Sequence, residues 1–166
     1  MTGADTFLNF AYGSNLLVER LRARTPSARP VTVATLSGHA LRWHKRGMDG
    51  SAKCDAAPTG ADEDVVWGVV FRIARAEKPR LDSAEGLGRG YREDAVIVTA
   101  GATTLRALSY LATDVDPALQ PFHWYKAYVL AGARQHGLPE AYVERILAVP
   151  SIPDPDPRRA AQHEQG

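Results

Sequence analysis

The sequence predicts one α+β domain, and three observations carry the prediction. Strand-like stretches outnumber helical ones, the two kinds are mixed along the chain without regular alternation, and the 166 residues suit a single core. We divide the chain into a domain at 1–150 and a disordered tail at 151–166. The tail opens on Pro-Asp-Pro-Asp-Pro after Ile152 and continues polar to the end.

The elements follow in order. Phe7 to Tyr12 is an apolar run that reads as a short strand. It stops on Gly13-Ser14-Asn15, and Leu16, Leu17 and Leu21 then mark one stripe of a helix to Arg24, ended by Pro26. Val31 to Leu36 is a second strand. From Gly38 to Arg46, Leu41 and Trp43 share one strand face while Arg42, His44 and Arg46 form a basic outer edge. Residues 47–63 are rich in Gly, Asp, Ala and Pro and read as loop, with room for one short strand.

Val65 to Ile73 is the strongest strand signal, apolar at nearly every position, as in a strand covered on both faces. Gly68 in its middle signals a bulge or the close approach of another group. Arg75 to Ala84 is a short helix with Pro79 near its start. Tyr91 to Thr99 and Thr104 to Leu111 are two strands joined at Ala100-Gly101-Ala102. Trp124 to Gln135 and Pro139 to Ala148 are helices, separated by Gly137-Leu138-Pro139. Tyr142, Val143, Ile146 and Leu147 give the second of them one apolar face.

Composition excludes several classes. Twenty Lys and Arg balance nineteen Asp and Glu, so no net field draws nucleic acid or an anionic membrane. No apolar run approaches the length of a membrane span. Met1 to Asp5 lacks the layout of a signal peptide. The one cysteine, Cys54, allows no intrachain disulfide and suits a reducing compartment. These features predict a cytoplasmic protein.

Most chemistry-bearing residues have plain readings. The five histidines form no HExxH pair and Cys54 has no CxxC partner, so no metal is expected. Ser14 stands at a strand-to-helix turn, but Tyr-Gly-Ser-Asn is not G-x-S-x-G, and a helix cap is the preferred role for its hydroxyl. Cys54 lies in a polar stretch with no activating base and reads as an inert thiol. Gly86-Leu87-Gly88-Arg89-Gly90 lacks the lysine and spacing of a phosphate loop and reads as a flexible turn. Tyr12-Gly13-Ser14-Asn15 has two readings of equal weight. Free amides at the start of a helix can bind a carboxylate or phosphate, and a capped turn can hold nothing. Glu85, in Leu81-Asp82-Ser83-Ala84-Glu85-Gly86, has no assigned role on its own.

Context comes from a resemblance. Phe7-Leu8-x-Phe-Ala-Tyr-Gly-Ser-Asn-Leu-Leu, then Arg20 and Pro26-Ser27-Ala28, resembles the opening of the γ-glutamylcyclotransferases. Val66-Trp67-Gly68-Val69-Val70 is similar to the family's central strand, and Leu81-Asp82-x-x-Glu85-Gly86 to its catalytic segment. Tyr110-Leu111-x-Thr113, Tyr125-Lys126 and Gly137-Leu138-Pro139 follow in the family's order. The similarity runs from about residue 7 to about residue 148, and residues 43–60 look more like the bacterial branch than the animal one.

The resemblance implies a small mixed β-barrel flanked by helices. It implies cleavage of a γ-glutamyl amide by its own α-amino group, giving 5-oxoproline and a free amine, with no cofactor and no metal. The partner is then a small γ-glutamyl compound, and a homodimer is compatible with it. Glu85 carries over as the catalytic base. Phe10, Ala11, Tyr12, Gly13, Ser14 and Asn15 carry over as the pocket for the glutamyl end, with Tyr125 as a substrate-contacting phenol and Tyr91 as a neighbour.

The residue types suit the chemistry. An α-amino group has a reference pKa of about 8 and is largely protonated near neutral pH. A glutamate desolvated in an apolar pocket can take that proton and hand one to the leaving amine. Holding the chain bent for ring closure supplies part of the barrier, since well-oriented intramolecular reactions gain on the order of 7–11 kcal/mol. The leaving side is expected to meet residues 44–60 or the loop from Asp114 to Trp124. Two alternatives stand beside this: a γ-glutamyl acyltransferase, and a non-catalytic γ-glutamyl-binding module.

Overall fold

The computed structural model describes residues 5–164. Its centre is a closed five-stranded barrel. In chain order the barrel strands are β1 (Thr6–Ala11), β2 (Arg29–Ser37), β5 (Val65–Ala74), β6 (Tyr91–Ala100) and β7 (Thr103–Ala112). Around the barrel they run β1-β5-β2-β6-β7. A separate two-stranded sheet pairs β3 (His39–Arg46) with β4 (Ala52–Pro58). The helices are α1 (Val18–Arg24), α2 (Lys78–Glu85), α3 (His123–Gln135), α4 (Glu140–Leu147) and α5 (Pro157–Glu164).

The apolar run at 65–73 takes the place its composition dictates. As β5 it pairs antiparallel with β1 on one side and β2 on the other, and Val69, Val70, Phe71 and Ile73 are buried. Each such side chain contributes roughly 1.5–3 kcal/mol of burial. Gly68 answers to close approach rather than a bulge. A Cβ there would lie 2.3 Å from the Ala11 carbonyl oxygen and 2.7 Å from the Phe10 ring. The strand is pressed against the last residues of β1, where the site begins.

Closure is parallel, between β1 and β7, and its ladder registers at one pair, Asn9 with Leu108. Side chains supply further bonds. Asn9 Nδ2 donates to the Leu108 carbonyl at 3.2 Å, and Ser109 Oγ donates to the Phe10 carbonyl at 2.8 Å. Both polar residues are buried. Losing either would leave a buried carbonyl with fewer donors.

Two stretches depart from the sequence reading. Residues 52–58 form β4, the one short strand for which the reading of 47–63 left room, but Cys54 is buried in the core rather than in a polar loop. Its neighbour Asp55 is also buried, accepting from the Ala112 N–H at 2.9 Å and pairing with His44 Nε2 at 2.7 Å. In place of a disordered tail at 151–166, the described residues through Glu164 carry α5. Asp154 orders this segment by accepting from Trp124 Nε1 and from Arg159, while His163 stacks on Trp124 with centroids 3.7 Å apart. The bonds and the ring contact outweigh the polar composition.

Candidate active site

One pocket gathers residues of six elements and one turn. β1 delivers Asn9, Phe10 and Ala11, and the following turn delivers Tyr12 to Asn15. α2 ends on Glu85, β6 begins on Tyr91, β7 gives Tyr110, α3 gives Tyr125, and β4 closes the wall with Cys54. All nine residues singled out from the sequence thus line a single cavity of about 40 Å³. Asn9, Cys54 and Tyr110 line it as well and were missed. Tyr110 stood in a quoted motif without a role. Cys54 was passed over because its stretch reads as polar and its thiol as inert.

The turn differs in detail from a capped helix start. Ser14–Leu16 is a separate 3₁₀ turn, and α1 begins only at Val18. The Ser14 hydroxyl caps nothing and instead accepts from Arg20 Nε at 3.0 Å. The start of α1 is capped from another helix, since the Val18 N–H donates to Gln135 Oε1 of α3 at 2.9 Å. Among the described residues, the N–H groups of Gly13, Ser14 and Asn15 have no backbone acceptor. Their capacity for an anion therefore comes from individual amides rather than from a helix dipole. Gly13 is required by crowding and not by its backbone angle: φ is −111°, and a Cβ would stand 3.2 Å from both Cys54 Cβ and Tyr125 Oη.

Glu85 is held by partners, not by an apolar wall. Asn15 Nδ2 donates to its Oε1, Arg24 Nη1 stands 3.7 Å from that same oxygen, and Arg24 also donates to Asn15 Oδ1 at 3.0 Å. The desolvated setting expected from the sequence is thus replaced by a fixed polar one. Oε2 has no partner among the described residues. The helix stops here because Gly86 turns left-handed at φ 72°, while the Leu87 N–H closes back on the Asp82 carbonyl at 2.9 Å. Asp82 also accepts from Tyr110 Oη at 2.5 Å and from Lys78, which ties α2 to β7.

Buried phenols fix the rest of the wall. Tyr12 donates to the Tyr110 carbonyl, Tyr91 donates to the Cys54 carbonyl at 2.5 Å, and Tyr125 Oη accepts from the Cys54 N–H at 3.0 Å. Burial above all lifts the Tyr12, Tyr91 and Tyr125 phenols well above their ordinary range, so all three are neutral. Burial likewise pushes the Cys54 thiol up, so it holds its proton and is no nucleophile. Among the described residues, no three His, Cys, Asp or Glu side chains gather as a metal-ligand set would.

A small barrel with a carboxylate beside a turn of free amides offers a proton acceptor and anion-binding donors in one cavity. Comparison with known proteins narrows the class. The profile of the AIG2-like family matches residues 65–146. Mouse gamma-glutamylcyclotransferase is 35% identical over 158 residues, covering 87% of this chain and 79% of its own. The human protein of the same name is 34% identical, covering 90% and 82%. A solved structure described as a gamma-glutamyl cyclotransferase superposes with a TM-score of 0.84 at 29% identity, covering 97% of this chain and 99% of that one. The chain belongs to the γ-glutamylcyclotransferase family, whose named members are enzymes.

Proposed function

We propose that this protein is a γ-glutamylcyclotransferase that converts a γ-glutamyl compound to 5-oxoproline and a free amine, with Glu85 as its base. The observation that carries the reading is the placement of Glu85, held through Oε1 by Asn15 and Arg24 at the edge of the Tyr12–Asn15 turn.

The glutamyl α-carboxylate takes the free amides of Gly13, Ser14 and Asn15, which brings the α-ammonium toward Glu85 Oε2. Glu85 removes a proton, and the freed amine attacks the γ-carbonyl carbon, forming the ring C–N bond. Glu85 then protonates the nitrogen of the scissile amide, and that C–N bond breaks. The ammonium's second proton leaves with the released amine, so charge and atoms balance. Tyr125, neutral and buried, contacts the bent chain and limits its freedom. Phe10 and Ala11 form the apolar floor.

The acyltransferase alternative requires a nucleophile to carry the glutamyl group. Ser14 has no adjacent base, and Cys54 is a buried, protonated thiol. The intact carboxylate argues against a binding module without turnover. We also propose a cytoplasmic location, supported by the single buried cysteine and its fit to a reducing compartment. Among the described residues no helix is long and apolar enough to cross a membrane. The test of the function is incubation with γ-glutamyl-alanine. Stoichiometric 5-oxoproline and alanine are expected, and a transferred adduct or unchanged substrate would contradict the assignment.

A further inference from the structure

Helix α1 carries two arginines one turn apart, Arg20 and Arg24. Like charges four residues apart on a helix repel, and burial first and the charge of Arg24 next lower the Arg20 pKa. Each arginine is nevertheless directed at one residue of the turn that carries the free amides. Arg20 Nε donates to Ser14 Oγ at 3.0 Å, with its guanidinium 4.4 Å from the Tyr128 ring centroid. Arg24 Nη1 donates to Asn15 Oδ1, also at 3.0 Å.

Arg24 reaches Glu85 by way of Asn15. Its own distance to Oε1, 3.7 Å, is too long for a hydrogen bond, and the two side chains are 23% and 18% exposed, where a lone ion pair counts for little. Asn15 closes the gap by donating from Nδ2 to that same oxygen. A guanidinium has only donors and an ionised carboxylate only acceptors. The Asn15 amide therefore fits between them in one orientation, Oδ1 toward Arg24 and Nδ2 toward Glu85. While Glu85 is ionised, either neighbour alone selects that orientation.

During turnover one of the two neighbours changes. Glu85 takes a proton from the α-ammonium and later gives one to the leaving nitrogen, so for part of each cycle it is a carboxylic acid. An acid has a donor of its own and no longer selects Nδ2. A freely turning Asn15 can then present Oδ1, and the proton can settle on Oε1, bonded to the protein instead of the substrate. Arg24 forbids that turn, because it would set the amide NH₂ against a guanidinium. We propose that Arg24 is a positioning residue that, by holding Asn15 Oδ1, keeps the transferred proton on Oε2 of Glu85. Oε2 is the oxygen without a partner among the described residues, so a proton there stays available to the substrate. This inference rests on the cyclotransferase reading and goes beyond it by naming the oxygen that carries the proton and the side chain that enforces the choice. Protons balance as before: one passes from the ammonium to Oε2 and from Oε2 to the scissile amide nitrogen, while Arg24 and Asn15 neither gain nor lose one.

Turnover of γ-glutamyl-alanine by Arg24→Met, Asn15→Ala and the double variant tests the inference. Arg24→Met is expected to lose about tenfold to a hundredfold in kcat, part of what a positioned acid–base group supplies, with KM within about twofold of wild type. The loss runs through Asn15, so adding Arg24→Met to Asn15→Ala should cost less than about twofold more. Arg24→Lys, also a pure donor, keeps more activity than Arg24→Met. Because the side chain is partly exposed, free guanidinium well below denaturing concentration should restore part of the kcat of Arg24→Ala. Circular dichroism verifies folding, and Asn15→Leu replaces the alanine variant if that chain does not fold. Near wild-type kcat in Arg24→Met, a loss confined to KM, or fully additive losses in the double variant would each overturn the inference. Absence of 5-oxoproline with wild type would instead overturn the cyclotransferase reading. Nitrogen-15 NMR of the Asn15 side-chain amide then decides, without turnover, whether Arg24 holds it: slow proton exchange in wild type that becomes fast in Arg24→Met supports the hold, and equal exchange refutes it.

Discussion

Gly132→Ala sets two physical effects against each other at a position that supports the site. Gly132 lies inside α3, where alanine is the better helix former, by about 0.5–1 kcal/mol. Propensity alone predicts a more stable protein. The structure predicts the opposite. A Cβ at 132 would stand 2.5 Å from Leu16 Cβ, 2.6 Å from the Leu17 nitrogen and 2.8 Å from the Leu16 carbonyl carbon. Two of these three atoms are backbone, so no side-chain rotation relieves the clash. Overpacking of this kind costs roughly 1–3 kcal/mol. The net expectation is destabilisation of about 1 kcal/mol, which for a chain of this size lowers Tm by roughly 2–4 °C. The same displacement moves the Ser14–Leu16 turn, so KM for γ-glutamyl-alanine rises as well. Thermal unfolding followed by circular dichroism, with kinetics on the same preparation, measures both. A Tm above wild type with unchanged KM would show that α3 does not press on the turn, and the account of how the site is held would be wrong.

Three further expectations follow from the same geometry. Glu85→Gln keeps the side chain's shape and an acceptor for Asn15 but cannot take a proton, so kcat should fall about 10²–10⁴-fold while calorimetric binding of substrate persists; near wild-type turnover would remove Glu85 from its role. Gly13→Val places methyls where even a Cβ stands 3.2 Å from Cys54 and Tyr125, so affinity should fall at least about tenfold with a smaller change in Tm; normal calorimetric binding would make the turn a structural cap only. Burial, with Arg20 and Lys53 near it, lowers the His163 pKa, so the stacked form is the neutral one; its contribution is fully present above the ordinary histidine pKa of about 6.5 and is lost below it, as pH falls through the lowered folded-state pKa. Trp124 emission should therefore change on acidification in wild type and not in His163→Ala, and identical profiles would show that α5 docks independently of the imidazole.

Local pattern revealed those parts of the fold that local pattern determines. Val65 to Ile73 is apolar at nearly every position because both its faces are covered, and Gly68 marked a real close approach. The nine site residues came from ordered motifs, and the structure brings them to one pocket. What stayed hidden depends on distant partners. β4, Ala-Lys-Cys-Asp-Ala-Ala-Pro, has little strand propensity and exists through its pairing with β3 and the satisfaction of Asp55 by His44 and Ala112. α5 is polar and is held through Asp154 and His163 to Trp124, tens of residues earlier in the chain. The polar grip on Glu85 comes from Asn15 and Arg24, far away in sequence.

The central claim is that the substrate's own α-amino group, deprotonated by Glu85, attacks the γ-carbonyl. N-acetyl-γ-glutamyl-alanine blocks that group and leaves the scissile amide intact. The decisive measurement is alanine release from this compound beside release from γ-glutamyl-alanine, under identical conditions with the purified enzyme. The account predicts no alanine from the acetylated compound, and alanine with equimolar 5-oxoproline from the free one. Alanine released from both at the same rate would mean that water or a protein group attacks the carbonyl, and the enzyme would be a hydrolase.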